Sequence, residues 1–301
     1  GELVDDTMIS LAQKIEMFKP TVEAVVKGNP KSLLLVEFAE EQMDENHQRL
    51  KKLHKLMGDL GYSWNKSNKN GGVIDVIEDS LQSKVSEMRK SGLNIMMSMK
   101  DDAKPVSFIE DCAVELKDLA EYTDGLNKIF DKYNVKGTWY AHASVGCLHV
   151  RPVLNMKIQD DVTKMRNIAN ETSSLVKKFN GSYSGEHGDG IARSEFNEVM
   201  FGKKMTNIFK IIKNSFDPLN IFNPGKIVDA PKLDERNLFR YAPSYNAENI
   251  NSILDWSSWT GASGGFQGAI EMCNNNGSCR KLDGGVMCPS FRVTKDEKDS
   301  T

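Results

Sequence analysis

Thr138-Trp139-Tyr140-Ala141-His142-Ala143-Ser144-Val145-Gly146-Cys147-Leu148-His149-Val150-Arg151-Pro152-Val153 sets two histidines symmetrically about Val145-Gly146. With that pair as the turn, the stretch folds back as a hairpin. It then opposes Ser144 to Cys147, Ala143 to Leu148 and His142 to His149. Directly opposed residues share a face, with Cβ atoms about 4.5–5.5 Å apart. Two imidazoles so placed reach one cation at metal–nitrogen distances of about 2.0–2.1 Å. Gly146 suits the second central position of a type II turn, and a longer loop of the same symmetry keeps the pairing. The hairpin favours antiparallel pairing, which the spacing of the other elements leaves undecided.

Outward from the hairpin, strands and helices alternate. Residues 32–38, Ser-Leu-Leu-Leu-Val-Glu-Phe, read as a buried strand. Residues 40–60 read as a helix with Met43, Leu50, Leu53, Met57 and Leu60 on one stripe. His47 and His54 lie beside that stripe, two turns and roughly 10 Å apart. They are too distant to share a metal and are expected at the margin of a helix interface. Residues 65–72 are a polar loop, 73–89 run from an extended stretch into a helix, and 106–109 read as a strand. Helices are expected over 114–133, 160–179 and 195–216, the last closing at Asp217-Pro218. The pattern predicts an α+β fold, helices packed on a mainly antiparallel sheet.

The chain has 301 residues and a net charge of −3, a length that allows about two domains. No basic tract points to nucleic acid, and no run of about 18 apolar residues could cross a bilayer. There is no signal-peptide pattern and no initiator Met, which suggests a piece of a longer polypeptide. Five cysteines without a secretion signal favour a reducing, cytoplasmic setting, peripheral association with a membrane remaining open. Cys147 reads as a small buried hydrophobe. After Val228 the periodicity fades. Three units are expected: a domain over 1–228, an extended linker over 229–267 and a cysteine-bearing unit over 268–301.

Ser182-Tyr183-Ser184-Gly185-Glu186-His187-Gly188-Asp189-Gly190 adds a carboxylate and a third imidazole. On a regular strand Glu186 and His187 would face opposite ways. The bracketing Gly185 and Gly188 permit an irregular path on which both face one pocket. The plainer alternative is a Gly-rich surface turn. Two histidines and one carboxylate leave coordination positions open for a substrate, and a neutral imidazole beside a metal-bound hydroxyl suits proton abstraction near pH 7.

These segments, with Phe216-Asp217-Pro218-Leu219-Asn220-Ile221-Phe222-Asn223-Pro224-Gly225-Lys226-Ile227, resemble the C-terminal half of FAD-linked 2-hydroxy-acid oxidases and dehydrogenases. This is the D-2-hydroxyglutarate and D-lactate dehydrogenase type within the vanillyl-alcohol-oxidase flavoprotein group. The resemblance covers about residues 1–230 and implies a substrate and cap domain of ferredoxin-like form. It implies His142, His149 and Glu186 as ligands of a divalent metal, zinc in the best-known relatives. His187 would be the base that accepts the α-hydroxyl proton as hydride passes to FAD. Asn223 and Gly185 would contact the cofactor, and Arg89 and Lys104 would hold substrate carboxylates. Single-domain relatives commonly have Asn where Arg151 stands, and the cation suits a second substrate carboxylate or a different electron acceptor. The family's FAD-binding domain precedes the matched region, so it is an implied partner.

Cys273-x5-Cys279-x8-Cys288-Pro289 resembles the opening of an iron–sulfur domain, with a [4Fe–4S] cluster completed by a ligand beyond Thr301. The partners so implied are the FAD and iron–sulfur domains of one parent chain, a small 2-hydroxy acid and an external electron acceptor; homo-oligomerisation stays open. Two other functions fit the metal constellation: a flavin-free metal-dependent hydrolase and a non-enzymatic 2-hydroxy-acid binding module.

Overall fold

The computed structural model describes residues 1–64, 71–243, 245–248, 250–262, 264–283 and 287–300. They fall into two compact units: Gly1–Met99 with Ala103–Tyr245, and Lys100–Asp102 with Asn246–Thr301. Much of the loop expected over 65–72 lies outside the described residues.

The first unit begins with strand β1 (Glu2–Asp5), which runs directly into helix α1 (Asp6–Gln13). Asp5 makes this junction: one carboxylate oxygen accepts the Met8 N–H at 2.8 Å as an N-cap, and the other accepts the Trp139 N–H at 2.8 Å. Then come α2 (Lys19–Val25), β2 (Ser32–Leu35), α3 (Met43–Asp59), α4 (Asp79–Lys90) and α5 (Gly92–Met96). Strands β3 (Lys104–Pro105) and β4 (Cys112–Ala113) lead to α6 (Leu119–Lys132). The hairpin region supplies β5 (Gly137–Thr138), β6 (Tyr140–His142), β7 (Cys147–Leu148) and β8 (Arg151–Leu154). The unit's remaining helices are α7 (Gln159–Lys178), α8 (Gly190–Arg193) and α9 (Asn197–Phe216), the last kinked at Gly202.

The strands form a five-stranded sheet, β2-β1-β6-β7-β4, and a three-stranded one, β3-β8-β5. Every ladder among the described residues is antiparallel, as the hairpin led one to expect. Helices α6 and α7 bury the faces their periodicity announces: Tyr122, Leu126, Ile129 and Phe130 from one, Val162, Met165, Ile168, Ala169 and Val176 from the other. They close over Phe108, Ile109, Val150 and Leu154 in the main core. A smaller core joins Val4, Met8 and Ala12 to Phe18, Val22, Met88 and Ile95.

Three local expectations are corrected. The apolar run at 32–38 is an edge strand limited to Ser32–Leu35, and Leu34 is 56 % exposed; hydrophobicity alone does not tell an edge from a centre. The strand read at 106–109 lies at Lys104–Pro105, and Phe108 and Ile109 are buried in the turn that follows. Helix α3 buries none of its residues; His47 is exposed and His54 pairs with Asp75 at 2.8 Å.

In the second unit, α10 (Gly265–Glu271) and α11 (Pro289–Thr294) are joined by irregular chain. Trp256 packs on Trp259 and Phe266 at ring separations of 5.5 and 5.2 Å. Residues 229–245 belong to the first unit, where Asp234 pairs with Arg166 and Leu233 N–H donates to Glu195.

Candidate metal and proton-transfer site

The hairpin turns one residue earlier than its symmetry suggests. Ala141 pairs with Leu148 and His142 with Cys147, and the His149 N–H donates to the Tyr140 carbonyl at 2.6 Å. The loop is a single 3-10 turn, Ala143–Val145, closed by Gly146 at φ 73°. A Cβ at Gly146 would lie 2.0 Å from the Val114 carbonyl oxygen, so both conformation and contact demand glycine. The expected register, His142 opposite His149, is therefore off by two residues. An even slip keeps every side chain on its face, so the two histidines sit diagonally on one face with ring centroids 4.9 Å apart.

Residues 182–188 approach from the other side. Ser182 bridges to Ala113, and the Gly185 N–H donates to the Asp111 carbonyl at 2.6 Å. A Cβ at Gly185 would lie 3.0 Å from that oxygen and 3.1 Å from the Cys147 sulfur, so the backbones meet too closely for a larger residue. Glu186 Oε1 then becomes a hub, 3.0 Å from Nε2 of His142, 3.0 Å from Nε2 of His149 and 3.4 Å from Nε2 of His187. The His187 ring stacks on His149 at 4.8 Å. All four side chains singled out in the sequence thus converge.

The donor set fits a divalent cation. Both nitrogens of His142 face carboxylates, Nδ1 at 2.7 Å from Glu2 and Nε2 at 3.0 Å from Glu186. A neutral imidazole has one N–H. One of these contacts therefore sets a lone pair against an anion unless the ring is protonated or a cation lies between. His149 is 3 % exposed and its Nδ1 is buried with no partner. Burial, reinforced by the nearby charges of His187 and His142, pushes its pKa down to about 4, so it is neutral, as a ligand must be, at pH 7. Asp111, Cys147, His149 and Glu186 also place ligand-type atoms within 4.8 Å of one another. Burial pushes the Cys147 thiol up to about 12, and its sulfur donates to the Asp111 carboxylate at 3.6 Å. It is buried as expected but faces the site rather than a purely apolar surrounding.

Arg89 and Arg151 border this group. Arg89 pairs with Glu2 at 2.8 Å, lies over the Tyr140 ring and keeps a buried Nε without a partner. Arg151 is 8 % exposed, its Nε donates to the Ser107 hydroxyl at 3.0 Å, and its charge contributes to the lowered His149 pKa. The Lys104 ammonium donates to the Met99 carbonyl. Asn223 is exposed at φ 46°, in a turn that Asp217 organises by accepting the Ile221 and Phe222 N–H groups at 2.9 Å. Cys273 is exposed and Cys279 half-buried; Cys288 is buried and its thiol donates to the Asp299 carbonyl at 3.4 Å.

Sequence reasoning missed Asp111, Glu2 and Arg193. Arg193 donates to the Gly188 carbonyl at 2.8 Å and to the Glu110 carboxylate at 3.0 Å, clamping the end of the loop. The one legible signal was Glu110-Asp111 standing inside the apolar run from Phe108 to Val114. Charges there are buried, and buried charges have partners.

The fold is thus an antiparallel sheet under helices, with three imidazoles and a carboxylate converging beside the inner strands β6 and β7. The chain belongs to the family described as FAD linked oxidases, C-terminal domain, whose model matches residues 1–227. It is 29% identical to D-2-hydroxyglutarate dehydrogenase of Haemophilus influenzae, over 98% of this chain and 28% of that protein. The Escherichia coli enzyme of the same name is 28% identical over 98% of this chain and 28% of its own length. The D-lactate dehydrogenase of Archaeoglobus fulgidus is 31% identical over 42% of this chain and 27% of its own. The chain spans little more than a quarter of the length of the D-2-hydroxyglutarate dehydrogenases it matches over 98% of its own length.

Proposed function

We propose that this chain is the substrate-holding part of an FAD-dependent D-2-hydroxy-acid dehydrogenase, with D-2-hydroxyglutarate favoured over D-lactate. The observation that carries the reading is the meeting of His142, His149 and His187 at one oxygen of Glu186. His142, His149 and Glu186 would hold the divalent metal, zinc by resemblance. When bound, the metal supplies Lewis acidity toward a hydroxyl and the flavin supplies the hydride acceptor.

The chain's own residues orient the acid and manage its proton. Nε2 of His187 faces the same carboxylate oxygen as the proposed ligands, so it stands where a hydroxyl proton can be taken. Arg89 and Arg151 supply guanidinium groups suited to two carboxylates, and this pair favours the dicarboxylic substrate. Lys104 is proposed as the third cation for a substrate carboxylate. Asn223 and Gly185 are proposed to approach the flavin. Around Asn223, Phe216, Leu219, Ile221 and Phe222 are 65–85 % exposed, as expected of a face covered by the flavin-bearing part of the parent protein.

Cys273, Cys279 and Cys288 are proposed as the first thiolates of a [4Fe–4S] cluster that passes electrons to an external acceptor. The proposed division is a cap domain over 1–228, a linker over 229–267 whose residues 229–245 pack with that domain, and a cysteine-bearing unit over 268–301. Among the described residues no helix is long and apolar enough to cross a membrane; a cytoplasmic location is proposed from the odd number of cysteines.

The test is anaerobic reduction of the full-length flavoprotein, followed by loss of its visible flavin band. D-2-hydroxyglutarate should bleach the flavin faster than D-lactate, and the L enantiomers should not. An unbleached flavin with every D-2-hydroxy acid would overturn the reading.

A further inference from the structure

Asp111 is bonded to both halves of the site. Its N–H donates to the Leu148 carbonyl at 2.8 Å, on β7 beside His149. Its own carbonyl accepts the Gly185 N–H. Its carboxylate accepts the Ser184 hydroxyl at 2.7 Å, the His187 N–H at 2.8 Å and the Glu186 N–H, which straddles both oxygens at 3.0 and 3.1 Å. One residue therefore meets four consecutive residues of the loop. It is 0 % exposed and holds φ at 88°, a conformation rare for a side chain other than glycine. Such strain persists where surroundings over-determine it, and it gathers at functional sites.

Two consecutive N–H groups aimed at one anion also solve the problem posed by the sequence. In an extended strand Glu186 and His187 would point to opposite faces. With both N–H groups turned inward to a carboxylate, as in anion-binding nests, both side chains are free to turn outward to the same side. We infer that Asp111 is the positioning residue of this site: its buried carboxylate sets the loop so that Glu186 and His187 face His142 and His149 together. The inference rests on the proposed metal and proton-transfer reading.

Asp111→Asn keeps the shape but must set an amide NH2 against the Glu186 N–H, because that N–H contacts both oxygens. Two measurements on the full-length flavin-loaded protein test it. Hydrogen exchange should quicken in the peptide covering 184–187 and leave the α6 and α7 peptides unchanged. With Co²⁺ as the probe, affinity should fall by about 10- to 100-fold, the usual cost of losing a residue that orients ligands, and the visible Co²⁺ spectrum should change. Unchanged exchange at 184–187 overturns the positioning role. If exchange quickens but the unaltered protein takes up no Co²⁺, the metal reading fails and the loop placement stands. Should Asp111→Asn fail to fold, Ser184→Ala removes one bond to the same carboxylate and carries the same pair of measurements, with a smaller fall in Co²⁺ affinity expected.

Discussion

Glu2 and His142 stand 2.7 Å apart, carboxylate oxygen to Nδ1, although 140 residues separate them in the chain. The contact exists because β1 pairs with β6, Leu3 opposite Ala141. Burial by itself would raise the Glu2 carboxyl, but hydrogen bonds from Arg89 and His142 outweigh it and hold it below the ordinary carboxylate value. Glu2 is therefore an anion that fixes which ring nitrogen of His142 turns toward Glu186. Carboxylates that orient a ligating histidine typically contribute 10–100-fold in metal affinity. Glu2→Gln should weaken Zn²⁺ binding by about that factor, read by competition with a chromophoric chelator, while thermal stability changes little.

His187 is the proposed base, not a ligand. His187→Ala should lower the rate of flavin reduction by about 10²–10⁴-fold and alter Zn²⁺ affinity by less than about tenfold. Stopped-flow reduction and metal titration of the same preparation separate the two. An equal loss of both would move His187 into the ligand set.

The lowered His149 pKa makes stability pH-dependent in a definite direction. Folding takes this imidazole from 6.5 to about 4. Between those values the unfolded chain binds more protons than the folded one, so stability rises with pH. Its contribution is intact above about pH 6.5 and is lost as the pH falls toward 4. Urea unfolding of metal-free protein from pH 7.5 to 4 should register the loss, and His149→Gln should flatten the slope.

Gly146→Ala would put a Cβ against the Val114 carbonyl at a residue with φ 73°. We expect destabilisation well above about 1 kcal/mol by chemical denaturation, together with weaker metal binding, because His142 and His149 flank the turn. A variant as stable as the parent would show that the turn relaxes.

The long helices were legible because their cause is local. Apolar residues three and four apart in α6 and α7 bury the faces that the sequence marks out, and Asp217-Pro218 ends α9 where expected. The four converging residues were legible for a related reason: imidazoles and a carboxylate beside glycines carry their chemistry in their identities. The hairpin register was not. Symmetry placed the turn at Val145-Gly146, whereas the hydrogen bond from the Val114 N–H to the Gly146 carbonyl comes from a segment more than 30 residues away. Edge and centre were equally hidden for residues 32–35, since the neighbours of a strand are chosen by the whole sheet.

What the chain's order of residues determined alone was the five long helices α3, α4, α6, α7 and α9, the antiparallel hairpin and the identities of His142, His149, Glu186 and His187. Tertiary structure decided how those four meet. It brought Glu2 across 140 residues to His142, set Asp111 behind Glu186 and His187, and moved the hairpin by two residues without turning a histidine away. The reason is physical: periodicity and turn chemistry act over a few residues, whereas a buried carboxylate acts on whatever N–H groups the fold brings to it, and no local pattern records which those are.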